Sequence, residues 1–105
     1  MDTSLIMERI DEKKDIEEDT TLISLIEYPS LMRYVGFHGK VIEPELSDLK
    51  FAHELQKKLE ARGRMKPAAD LIIAAMCIHL GATLLTLDRD FMVISEVSDL
   101  KVIVE

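Results

Sequence analysis

The residues of this chain best suited to chemistry are carboxylates. Asp2, Glu27, Asp70 and Asp88 are far apart in sequence, and Asp90 follows close behind the last. Each of the four adjoins an apolar run. The surroundings read Met1-Asp2-Thr3-Ser4-Leu5-Ile6, Ile23-Ser24-Leu25-Ile26-Glu27-Tyr28-Pro29, Ala69-Asp70-Leu71-Ile72-Ile73-Ala74-Ala75 and Thr86-Leu87-Asp88-Arg89-Asp90-Phe91. Acids gathered in one place repel one another, and a hard divalent cation relieves that repulsion. Mg²⁺ and Mn²⁺ prefer carboxylate oxygens and keep several waters. An ion so held lowers the pKa of a bound water and offsets charge on a phosphate. Such a set points to phosphodiester hydrolysis with no side-chain nucleophile.

The elements that must position these acids follow from patterning. Residues 4–10 form a short helix candidate, and Glu8 to Asp19 is a charged, solvated stretch. Thr20 to Ser24 reads as a short buried strand, from its β-branched residues. A helix is expected after it, through about Val35 and ending near Gly36. Residues 40–42 suggest a second strand closed by Pro44. Over 46–62, Leu49, Ala52, Leu55 and Leu59 keep helical spacing, with Ser47 as N-cap and Gly63 as stop. Pro67 suits the start of a helix over 67–80, which is apolar almost all round and so buried. Gly81 ends it. Residues 82–87 read as a buried strand, Phe91 to Ile94 as a short turn or helix, and 101–104 as a final strand.

Strands alternating with helices predict an α/β fold. The expected form is a three-layer α/β/α sandwich on a mostly parallel sheet, in one domain over 1–105. Ligands of such sheets bind at the carboxyl ends of the strands, and the following helices start on the same rim. Asp88, Glu27 and Asp70 therefore share one edge. Asp2 joins them if a strand leads into it.

These four motifs, in this order, resemble those of the PIN-domain nucleases, in particular the VapC-type toxin ribonucleases of toxin–antitoxin pairs. The resemblance spans essentially the whole chain. It implies an endoribonuclease with Mg²⁺ or Mn²⁺ held by Asp2, Glu27, Asp70 and Asp88. Thr3 or Ser4, and Thr86, would orient carboxylates or waters. From its place beside Asp88, Arg89 is the candidate for phosphate contact, and Asp90 a supporting or turn residue. The resemblance also implies an RNA substrate, a homodimer, and an antitoxin protein lying across the site. One departure stands out. The family carries an apolar strand before its first Asp, at the centre of the sheet, whereas only Met1 precedes Asp2 here. The first strand is thus expected to be short or missing. The competing expectation is a catalytically inactive PIN-like module that dimerises or binds a partner.

Blander roles compete at each position. Ser24 and Glu27 have capping-box spacing, Asp70 suits the positive end of a helix, Asp88 and Asp90 suit a turn, and Asp2 suits a frayed terminus. His38, His53 and His79 show no mutual ligand spacing. The run Lys57, Lys58, Arg62, Arg64, Lys66 reads first as a solvated face. Met32, Tyr34 and Phe37 read as core. With 48% hydrophobic and 31% charged residues the chain is globular. A net charge of -7 argues against nonspecific DNA binding. The lone Cys77, in an apolar run, is expected to be a buried thiol in a reducing cytoplasm. No signal peptide and no membrane-spanning run is seen.

Overall fold

In the computed structural model, which describes all 105 residues, helix α1 (Thr3–Asp11) opens the chain, capped by Asp2. A two-residue strand β1 (Thr20–Thr21) leads directly into α2 (Leu22–Glu27). Two sequence expectations fail here. Leu22 to Ser24 belong to the helix and not to the strand, because the Thr21 side chain accepts the Ser24 N–H and starts the helix at Leu22. The helix also stops well short of Val35. Pro29 has no N–H to give, so the chain passes into a separate 3₁₀ turn over Pro29–Arg33.

Strand β2 (Val41–Ile42) pairs with β1 in parallel, Thr20 beside Val41 and Thr21 beside Ile42. An isolated bridge between Ile16 and Phe37 has the same offset. The pairing thus runs, with a gap, from 16–21 beside 37–42. Gly39 marks the gap, since a Cβ there would lie 2.0 Å from the Glu18 carbonyl oxygen. The backbones approach too closely for any side chain.

Helix α3 (Leu46–Ala61) buries Ala52, Leu55 and Leu59, as their spacing foretells, but Leu49, expected on the same stripe, is 44% exposed near the helix start. Its cap is Glu45 with Asp48 in a reciprocal box, two residues before the expected Ser47. Helix α4 (Ala68–Leu80) follows Pro67, which is its N-cap, and ends on Gly81 at φ 66, the left-handed stop glycine permits. Then come β3 (Thr83–Thr86), α5 (Asp90–Ser95) and β4 (Lys101–Val104), with β3 and β4 parallel in register from Thr83 beside Lys101 to Thr86 beside Val104.

The helices lie on both faces of the strands, so the layers are α/β/α. Leu84 packs into a core of 13 buried residues with α3, α4 and α5, centred on Leu55, Ile73, Phe91 and Ile94. Leu85, pointing the other way, packs beside Met1, Leu5, Ile6, Ile16 and Leu31, a smaller core of five. Tyr34 and Phe37 border that second core, as expected, but Met32 is 64% exposed because the 3₁₀ turn carries it outward. Cys77 is buried, and burial raises its thiol pKa. No helix is long and apolar enough to cross a membrane.

The two strand pairs do not join into one sheet. Met1 and Asp2 lie between them. The Met1 ammonium donates to the Asp19 carbonyl at 3.0 Å, and the Asp2 N–H donates to the Leu85 carbonyl at 3.1 Å. Met1 and Asp2 thus form one extended rung between the two strand pairs.

Candidate functional site

The site is assembled at the carboxyl ends of β1 and β3, where α1, α2 and α4 begin or end. Asp2 is 5% exposed, not a frayed terminus. Its Oδ1 accepts from the Ser4 hydroxyl at 2.9 Å and from the Leu5 N–H at 3.5 Å. Burial raises its pKa, and the hydrogen bonds from Ser4, Thr86 and Leu5 only partly oppose that. Ser4 reaches further. Its hydroxyl accepts the Leu87 N–H at 3.2 Å and lies 3.4 Å from the Thr86 hydroxyl, which in turn accepts the Asp88 N–H at 2.9 Å. A chain of small hydroxyls thus ties the start of α1 to the end of β3.

Thr3 performs the same joining on the other side. Its hydroxyl donates to Glu27 Oε1 at 2.6 Å and lies 3.0 Å from the Ser24 hydroxyl. Glu27 is therefore not a reciprocal cap of its helix; Thr21 holds that role, and the Glu27 carboxylate is turned toward Thr3. Asp88 Oδ1 accepts the Asp90 N–H at 2.8 Å, which fixes the turn into α5. Asp90 also pairs with Lys66 at 3.4 Å. Sequence reading missed that pair. Only the fold brings the loop before α4 beside α5, and no periodicity signals it. Arg89 is exposed and makes no ion pair.

Asp70 ties these groups together. Its pKa is raised to about 6, first by burial and then by the charges of Asp88, Glu27, Asp2 and Asp90. Every acid singled out in the sequence is close enough to Asp70 to act on it. Asp70 stands in the first turn of α4, where the helix dipole favours an anion, yet burial and its neighbours outweigh that.

The cluster is loose. No three carboxylates of Asp2, Glu27, Asp70 and Asp88 place oxygens within 4.8 Å of one another; Asp15, Glu17 and His38 do so, on the exposed surface at the other end of the β1–β2 pairing. The offset that pairs Ile16 with Phe37 sets Glu17 beside His38, which no spacing between histidines could reveal. None of the four principal hollows is lined by Glu27, Asp70 or Asp88; the rim is open surface. The donors are oxygen atoms only, the type a hard divalent cation takes, and the charges of the others act on Asp70.

Fold and rim together describe a small α/β domain with an acidic edge. No family profile and no curated protein matches the chain. Among solved structures, it is similar to a chain of the crystal structure of VapBC2 from Rickettsia felis, bound to a DNA fragment from their promoter. The TM-score is 0.63 at 19% identity, over 94% of this chain and 81% of that one. At this identity the likeness establishes the fold.

Proposed function

We propose that this chain is a divalent-metal-dependent endoribonuclease of PIN-domain type, the toxin of a toxin–antitoxin pair. The observation that carries the reading is Asp70, whose pKa near 6 arises from burial and from four other acids contributed by separate elements. A cost of that kind is relieved by a cation, and clustered perturbed carboxylates mark functional sites. The fold likeness to a chain of a toxin–antitoxin complex supports the second half of the proposal.

Asp2, Glu27, Asp70 and Asp88 would hold Mg²⁺ or Mn²⁺, which when bound would supply an acidified water and offset phosphate charge. The protein's own residues set the stage. Thr3 orients Glu27, Ser4 orients Asp2, and Thr86 fixes the backbone of Asp88. Lys66 screens Asp90, leaving it a supporting role. Arg89, exposed and unpaired beside Asp88, is placed to meet an incoming phosphate. An open rim suits a polymeric RNA. An antitoxin segment would lie across the same rim, and the toxin would act as a homodimer.

The test is Mn²⁺-dependent cleavage of a structured RNA by this chain and by Asp70→Asn. Cleavage by the parent, lost with EDTA and lost in the variant, is the expected result. Equal cleavage by both would remove the carboxylate assignment. Cleavage by neither, with the fold intact, would leave the interaction module as the better reading.

A further inference from the structure

Three cations stand within five residues in the connection from α3 to α4, Arg62-Gly63-Arg64-Met65-Lys66, with no acid among them. In a chain of net charge -7 this is a local reversal of sign. The connection is tied down by hydrogen bonds. Gly63, at φ 67, lets the chain fold back so that the Arg64 N–H reaches the Leu59 carbonyl at 2.9 Å. Gln56, on α3, grips both main-chain groups of Lys66. Its amide nitrogen donates to the Lys66 carbonyl at 2.6 Å, and its oxygen accepts the Lys66 N–H at 3.1 Å.

The connection runs beside α5. Lys66 pairs with Asp90, the first residue of that helix, and Arg64 pairs at 3.5 Å with Glu96, just past its last. The two partners are about 9 Å apart along the helix axis. The Asp90 end is the acidic rim, since Asp90 bonds to Asp88 and its charge acts on Asp70. Lys66 stands four residues before Asp70. Its side chain is only 15% exposed, whereas Asp90 is 57% exposed. A pair with so open a partner adds little stability, and a phosphate oxygen can take the place of the carboxylate. An RNA chain approaching this rim meets Asp2, Glu27, Asp70, Asp88 and Asp90, and one divalent ion offsets only part of that charge. Lys66 and Arg89 are the cations set beside those acids.

We propose that the 62–66 connection is a contact strip for the sugar–phosphate backbone of RNA, with Lys66 on the phosphate next to the one cut at the rim and Arg64 farther along α5. The identity of the polymer rests on the nuclease reading, because such a strip contacts phosphates whatever bases they carry. Asp90 holds the Lys66 ammonium until RNA displaces it. Gln56 is a positioning residue, which fixes the backbone from which Lys66 reaches the rim.

The probe is a fluorescein-labelled oligouridine of about twelve nucleotides, titrated into the full chain in EDTA, so that no cleavage occurs, and followed by anisotropy over a series of salt concentrations. The parent binds with a dissociation constant below about 100 μM at low salt. Lys66→Gln and Arg64→Gln each lower the slope of log affinity against log salt by about 0.7. Lys101→Gln removes the same charge from the exposed amino end of β4, the edge opposite the rim, and leaves the slope unchanged. Asp90→Asn raises affinity more in the parent than in the Lys66→Gln background. Lys66→Gln melts with the parent, and Arg64→Gln, at a side chain 49% exposed, gives an independent reading if it does not. No binding by the parent, or equal slopes in the parent and both strip variants, would overturn the strip. So would an equal fall in Lys101→Gln, which is the effect of net charge alone. The two readings fail separately. Mn²⁺-dependent cleavage with unchanged slopes leaves a nuclease without this strip. Binding through Arg64 and Lys66 without cleavage leaves the strip and removes the nuclease.

Discussion

The half of the molecule from Leu46 to Val104 and the half from Met1 to Ile42 are built to different standards. The first has helices of 16, 13 and six residues, strands of four, and a core of 13 buried residues. The second has helices of nine and six, strands of two, and a core of five. The candidate site takes Asp70 and Asp88 from the first and Asp2 and Glu27 from the second. What joins the halves at the rim is a set of hydroxyls, Thr3 with Glu27 and Ser4 with Thr86 and Leu87. The thin half is held in place by these polar contacts and by Leu85 and Leu87, which pack against its small core, so the geometry of the site depends on that seam.

Several substitutions break or sharpen this contrast. The largest effect is expected in the strong half. Phe91→Ala empties a site 1% exposed and costs about 3–5 kcal/mol, enough to unfold much of a small domain in thermal or urea melts. In the thin half Ile16→Ala costs about 2–4 kcal/mol at its own site, but the loss is local. Hydrogen exchange should show protection lost within residues 1–42 while α3 and α4 keep theirs. Uniform loss across both halves would erase the distinction. At the seam, Thr3→Val removes the donor to Glu27. It should cost about 1 kcal/mol of stability yet lower Mn²⁺ affinity about tenfold, by calorimetric titration.

The smallest effect is in stability against pH. Asp70 has a folded pKa near 6, above its usual 3.8, so the folded chain holds that proton more tightly than the unfolded chain. Stability from this group is present below pH 4 and falls as pH rises through about 6. Asp70→Asn should lack that slope. At pH 7.5 it should be more stable than the parent by up to about 1 kcal/mol, once solvent screening is allowed for. Urea melts at pH 4.5 and 7.5 decide it. A variant that binds metal less well and folds better is the signature of a site, not of a structural acid.

Much of this arrangement was legible in the sequence. Helix α3, helix α4 with its glycine stop, strand β3 and strand β4 follow from spacing, because long periodic segments and left-handed glycines leave few alternatives. The thin half was harder. Leu22 to Ile26 is an apolar run that fits strand or helix, and a single hydrogen bond from Ser24 to Thr21 decides for helix. The convergence of Asp70, Asp88 and Glu27 on one rim follows from βα topology, and the structure brings all of them within electrostatic reach of Asp70. Asp2 was the least secure residue, since its place depends on a backbone rung shared with Leu85 that no local pattern reveals. The Lys66–Asp90 pair and the Asp15, Glu17, His38 group arise only from tertiary contact.

The most direct measurement is paramagnetic broadening of amide signals by Mn²⁺. The account predicts that amides around Asp2, Glu27, Asp70 and Asp88 broaden together, at one affinity, and that the affinity rises between pH 5 and pH 7 as Asp70 gives up its proton. Broadening confined to Asp15, Glu17 and His38, or around Asp70 and Asp88 without Asp2 and Glu27, would contradict a site shared across the two halves.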